Sequence, residues 1–211
     1  MTQRFSRRTS RGPVVLGLTG SIAMGKTTAA QFLRHLGVRV FDADAVVREL
    51  TGPGGSALPA VAARFPGVVS PAGLDRKKMS AIAFSDRKAL HDLEGIIHPL
   101  VHAARERFLR TAALRRDAVV AFDVPLLFEG KSRPIYDVVA VVTAPAFLQE
   151  QRALRREGMS VEKLKGVRAR QMSDHHKRRL ADAVIPSGLG KRETLRRLKQ
   201  VLKVAQTRTG F

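Results

Sequence analysis

The 211-residue chain contains no cysteine and no tryptophan, and only one tyrosine. The first absence excludes disulfides, thiolate catalysis and every cysteine-built zinc site, and it fits a reducing compartment. Aromatic residues make up 5% of the chain, too few to build stacking platforms for single-stranded nucleic acid. No apolar run approaches the ~18 residues that a membrane span requires. Acids are scarce as well: 18 Asp and Glu face 38 Lys and Arg, a formal charge of +20. That balance excludes an acidic disordered chain and points to a polyanionic partner, whether nucleic acid, anionic membrane or a phosphate-rich ligand. The surplus is concentrated in residues 151–211, which hold 17 basic and 5 acidic residues. What is present in ordinary measure is apolar content, 44%, enough for the core of one domain. Residues 1–12 are rich in Arg and Ser and hold no acid. A transit peptide can look like this, but the segment is short and aperiodic and a strand begins at Val14, so it reads as a disordered basic tail.

The rest of the chain alternates. Apolar runs at Val14 to Thr19, Ala118 to Phe122, Val138 to Thr143 and, more weakly, Ala183 to Ile185, together with Val38-Arg39-Val40-Phe41, read as strands of a sheet covered on both faces. Between them lie helical patterns: Lys26 to Leu36 ended by Gly37, a helix from about Ala45, and Phe147 to Glu157 and Val161 to Met172 separated by Gly158. Arg192 to Ala205 closes the chain as an amphipathic helix. This predicts an α/β fold with a five-stranded parallel sheet covered on both faces. Residues 56–116 read as mostly helical, broken near Pro66 to Gly73 and again at Pro99, and are too long for one crossover. They are expected to form an inserted helical subdomain within a single domain spanning 13–211.

Gly20-Ser21-Ile22-Ala23-Met24-Gly25-Lys26-Thr27 satisfies G-x-x-x-x-G-K-[ST] at every fixed position. A strand precedes it and a helix follows, the context in which backbone amides and a helix N-terminus cradle phosphate. Residues 20–28, through Thr28, are the predicted ATP-binding loop of a P-loop NTPase, a three-layer sandwich. Lys26 is placed on the β- and γ-phosphates and Thr27 on Mg²⁺. Asp123, ending the third predicted strand, has the position of a Walker-B acid holding Mg²⁺ directly or through water; a turn or helix cap is its structural alternative. Asp42 and Asp44 end the second predicted strand, where one carboxylate can cap the next helix while the other faces the γ-phosphate and accepts a proton from an acceptor hydroxyl. Arg152, Arg155 and Arg156 share one predicted helix before Gly158, a pattern that fits a mobile helical lid over about 146–180. Arg178 and Arg179 are weaker candidates for the same task.

At this point the residues resemble one family, the dephospho-coenzyme A kinases. The resemblance rests on Leu16-Gly17-Leu18-Thr19-Gly20-Ser21-Ile22, on Val40-Phe41-Asp42-Ala43-Asp44, on Leu74-Asp75-Arg76 with Phe84-Ser85, and on Ile96-Ile97-His98-Pro99-Leu100-Val101. Asp123-Val124-Pro125-Leu126-Leu127-Phe128-Glu129, Gln151-Arg152 with Arg155, and Ala181-Asp182-Ala183-Val184-Ile185 complete it, in order, over about 14–204. It implies transfer of the ATP γ-phosphoryl to the ribose 3′-hydroxyl of dephospho-CoA, the last step of coenzyme A synthesis. By position it implies Asp44 as catalytic base, Lys26 and Arg152 as further catalytic groups, and Arg76, His98, Leu126 and Glu129 with Asp44 on the substrate side. The helical insert becomes the CoA-binding part. Read locally, His98 before Pro99 is equally a capping or core histidine. The chain departs from the family pattern twice: Ala23 stands where Gly is usual, and Pro186-Ser187-Gly188 stands where Asn-x-Gly is common near the adenine. The implied enzyme is cytoplasmic, a monomer or small homo-oligomer, with ATP, Mg²⁺ and dephospho-CoA as small-molecule partners and neither membrane nor specific nucleic acid. Two other classes fit the sequence less well. A nucleoside or nucleotide kinase of this size would carry a different insert, and an ATP-using nucleic-acid binder would need aromatic platforms or helicase motifs.

Overall fold

The computed structural model describes residues 12–129 and 136–207; the expected basic tail lies outside them except for Gly12. Within these residues, two compact units form, one comprising the chain through Phe41 together with the chain from Ala112 onward, the other Asp42–Thr111.

In the first unit, β1 (Val14–Thr19) is buried along its whole length, as is β6 (Val138–Thr143). Such strands carry apolar side chains on both faces because both faces are covered. With β2 (Arg39–Asp42), β5 (Val119–Asp123) and β7 (Ala183–Pro186) they form a five-stranded parallel sheet in the order β2-β5-β1-β6-β7. Helix α1 (Lys26–His35) packs on one face through Ala29, Ala30 and Leu33, and α9 (Lys191–Thr207) packs there through Leu198, Val201, Leu202 and Ala205. They meet Val14, Leu16, Leu18, Ala121, Ala140, Val142 and Ile185, the alternate residues of each strand. On the other face Phe122 lies 5.0 Å from Phe41 and 6.0 Å from Tyr136, centroid to centroid. α6 (Ala146–Leu154), α7 (Val161–Arg170) and α8 (Asp174–Leu180) connect β6 to β7. The chain leaves β1 toward β2 on one side while β6 lies on the other. The carboxyl end of β1 is therefore a switch point, where open α/β sheets bind ligands. The register Leu18↔Asp123 places the acid of β5 beside that end.

The second unit holds α2 (Ala43–Leu50), α3 (Leu58–Arg64), the hairpin β3 (Val69–Ser70) and β4 (Gly73–Leu74), α4 (Arg76–Ser85) and most of α5 (Arg87–Leu114). Its core is Ala57, Val61, Phe65, Val68, Met79 and Ala89. An Arg64–Asp92 ion pair ties α3 to α5. One expectation fails here. Pro99 does not break the helical run: α5 is continuous for 28 residues with Pro99 inside it. Proline removes one amide donor and crowds the carbonyl four residues earlier, which belongs to Gly95, a residue with open space around its α-carbon. A long helix loses one bond there and keeps the rest.

Candidate active site

The loop between β1 and α1 lines a cleft of roughly 560 Å³ together with Pro125, Arg152, Arg156, Gln171, Ser187 and Lys191. All residues from Gly20 to Thr28 face it. α1 begins without a side-chain cap, so its first amides are left for a ligand. Gly25 sits at φ 91°, and a β-carbon there would lie 2.9 Å from Ser187 Oγ, so position and conformation both demand glycine. Ala23 is at φ 59°, left-handed backbone that favours glycine. Gly is usual at this position in the pattern the loop resembles. The alanine methyl is used: Ala23 is buried against Ala153 of α6 and Leu164 of α7.

Lys26 Nζ pairs with the Asp123 carboxylate. Thr27 opens into the cleft. Mg²⁺ keeps several waters and takes one or two protein oxygens plus substrate phosphates, and Thr27 Oγ1 with Asp123 is a donor set of that size. No cluster of three or more His, Asp or Glu able to hold a metal occurs among the described residues.

Arg152 donates from Nη1 to Ser187 Oγ at 2.9 Å and from Nη2 to the Ser187 carbonyl at 3.0 Å. The Ser187 hydroxyl in turn donates to the Met24 carbonyl at 2.6 Å. The serine of Pro186-Ser187-Gly188 therefore links the arginine to the phosphate loop, a role that sequence reading missed. Arg156 also lines the cleft; Arg155, the C-cap of α6, does not. Gln149 and Gln171, likewise unsuspected from sequence, bond the Ile22 backbone: Gln149 Nε2 donates to its carbonyl and Gln171 Oε1 accepts from its amide, both at 3.0 Å.

Glu129 accepts from the Met172 amide at 2.8 Å and lies 2.9 Å from Nζ of Lys177, whose side chain is fully buried. Burial pushes the Glu129 carboxyl up, but the paired Lys177 ammonium and the Met172 amide together outweigh it and hold it below the usual carboxylate range. Leu126 is half-exposed.

The second unit separates the two aspartates by task. Asp42 caps α2, accepting from the Ala45 amide at 2.9 Å. Asp44, in the first turn of that helix, is exposed and has no hydrogen-bond or ion-pair partner among the described residues. Arg76 is exposed at the first position of α4, where Asp75 is the cap. His98 is exposed inside α5, so it is neither a cap nor a core histidine.

With this geometry in place, likeness to known proteins has a structural meaning. The family model described as CoaE, dephospho-CoA kinase, matches residues 14–190. The dephospho-CoA kinase of Rhodospirillum rubrum is 50% identical over 92% of each chain, and that of Paramagnetospirillum magneticum 54% identical over 78% of this chain and 77% of its own. Among solved structures, TT1252 from Thermus thermophilus superposes with a TM-score of 0.74 at 33% identity, over 92% of this chain and 98% of its own. A dephospho-CoA kinase from Campylobacter jejuni, at 22% identity and a TM-score of 0.67 over 92% and 97% of the two chains, shares the fold. A phosphate loop at a sheet switch point, an acid beside it, and this extent of identity place the chain in the dephospho-CoA kinase family.

Proposed function

We propose that the protein transfers the γ-phosphoryl of ATP to the ribose 3′-hydroxyl of dephospho-CoA, releasing ADP and coenzyme A. The observation that carries this reading is the loop from Gly20 to Thr28, uncapped at α1 and facing one cleft, in a chain of this family. The α1 amides and Lys26 bind the β- and γ-phosphates; Lys26 exchanges Asp123 for phosphate when ATP enters. Arg152 and Arg156 bring positive charge to oxygens that become more negative in the transition state. Asp44 is the base. The acceptor hydroxyl oxygen forms a bond to the γ-phosphorus, the bond to the ADP oxygen breaks, and the hydroxyl proton passes to the Asp44 carboxylate. An exposed, unpaired carboxylate suits this step, whereas Asp42 is committed to its cap. Mg²⁺ neutralises phosphate charge when bound, and Thr27 and Asp123 are the residues that would hold it.

Arg76, His98 and Leu126 are assigned to the dephospho-CoA side in this reading. Glu129 is assigned there with its carboxylate already held by Lys177. Residues 42–111 serve as the acceptor-binding unit, and α6 to α8 as a lid carrying Arg152 and Arg156, with Gly158 at φ 71° as its hinge. No helix among the described residues is long and apolar enough to cross a membrane. The reading places the reaction in the cytoplasm, supported by a chain without cysteine.

The test of the mechanism is Asp44→Asn. Turnover falls by about two to four orders of magnitude while ATP affinity stays within about threefold. Near-normal turnover of that variant refutes the assigned base.

A further inference from the structure

The backbone of Ile22 is held at both its amide and its carbonyl, the peptides on either side of its α-carbon, by one segment of chain. Gln149, buried on α6, donates to its carbonyl, and Gln171, the C-cap of α7, accepts from its amide. The amide orientation of Gln149 is not arbitrary. Arg168 Nε and Nη2 both donate to Gln149 Oε1, at 3.2 and 2.9 Å, and a guanidinium cannot accept. The oxygen must therefore face Arg168 and the NH₂ must face the loop. Arg168 is itself held by Glu150 at 3.2 Å.

The residue that follows this pinned one is Ala23, in left-handed backbone. Alternation of right- and left-handed residues makes successive amides converge into an anion-binding concavity. Glycine adopts that turn freely, but alanine adopts it only when its surroundings over-determine it. Here the surroundings do so twice, through the clamp on Ile22 and through the methyl packed on Ala153 and Leu164.

We propose that Gln149 and Gln171 are positioning residues for phosphoryl transfer: they clamp the two peptides flanking Ile22, hold the Ala23 turn in its phosphate-receiving shape, and couple the α6–α7 segment to the loop. Neither touches substrate in this proposal; both act through Ile22. The proposal rests on the reading that ATP binds at this loop.

The experiment compares steady-state kinetics and melting for the parent chain, Gln149→Leu, Gln171→Leu, the double variant and Arg168→Met, with ATP and dephospho-CoA varied separately. Each glutamine variant lowers kcat/KM for ATP about tenfold, and KM for dephospho-CoA stays within about twofold. The double variant is no more than about threefold worse than the poorer single one, because both groups hold the φ/ψ of one residue, Ile22. Arg168→Met, at a partly exposed site that folding tolerates, moves the same parameter by about threefold. In an Ala23→Gly background, where no strained turn needs holding, the Gln171→Leu penalty shrinks to about threefold or less. Gln171→Leu within twofold of the parent overturns the proposal, as does a double variant showing the full product of the single losses. Equal loss on both substrates accompanied by early melting, a purely structural effect, overturns it too. A parent chain that does not phosphorylate dephospho-CoA at all refutes the proposed function instead, so the two failures are distinguishable.

Discussion

Lys177→Met tests the polar anchoring between the segment after β5 and the α7–α8 connection. The Lys177 side chain has 0% exposure and its Nζ is 2.9 Å from Glu129, whose side chain is 18% exposed. Removing the ammonium leaves a mostly buried carboxylate with only the Met172 amide, since the second carboxylate oxygen has no partner among the described residues. Breaking such a pair costs about 3–5 kcal/mol. The residual exposure of Glu129 puts the value near the low end, about 3 kcal/mol, because water screens part of the orphaned charge. For a domain of this size that lowers Tm by about 6–12 °C. Glu129→Leu/Lys177→Met removes both charges and restores most of the loss.

The pH dependence follows from the same pair. The folded Glu129 carboxyl is held below the usual carboxylate range, so its contribution is fully present at neutral pH. Below pH 4.5 the contribution is lost progressively as the folded-state carboxyl protonates. Calorimetry of the three proteins between pH 3.5 and 7 checks this. Lys177→Met losing under about 1 kcal/mol, or the double variant losing as much as the single one, refutes the reasoning.

Other outcomes follow from the cleft. Ser187→Ala removes one of two Arg152 contacts and the donor to the Met24 carbonyl; kcat/KM for ATP falls about fivefold to tenfold in a coupled assay, consistent with about 1 kcal/mol for a lost hydrogen bond. Ala23→Gly relieves about 1–2 kcal/mol of left-handed strain but gives back about 0.8 kcal/mol of methyl burial and about 0.5–1 kcal/mol of unfolded-chain entropy, so urea unfolding shifts by no more than about 1 kcal/mol. Thr27→Val raises the Mg²⁺ concentration needed for half-maximal activity about tenfold, read from a Mg²⁺ titration at fixed ATP.

Local features of this chain were legible before its fold was known. The long central strands follow from continuous apolar runs, β2 from the shorter pattern around Arg39, and the phosphate loop from glycine spacing between a strand and a helix. The division of labour at Asp42 and Asp44 was open from spacing alone, since past a strand end alternation no longer decides which way a side chain turns; the cap on Ala45 decides it. Pro99 misled because one missing amide is a small loss within 28 helical residues. The groups that brace the cleft were illegible for a different reason. Gln149 meets Ile22 across 127 positions and Arg152 meets Ser187 across 35, and no periodicity encodes such pairings. Lys177 is the fully buried member of the run Lys177-Arg178-Arg179, and nothing in three adjacent basic residues marks which one turns inward.

The most direct measurement is ADP release over a panel of acceptors: dephospho-CoA, shikimate, nucleosides and nucleotides, with the product identified by the position of its new phosphate. The account predicts turnover on dephospho-CoA with the phosphate on the ribose 3′-oxygen. Turnover of another acceptor, with none on dephospho-CoA, contradicts it.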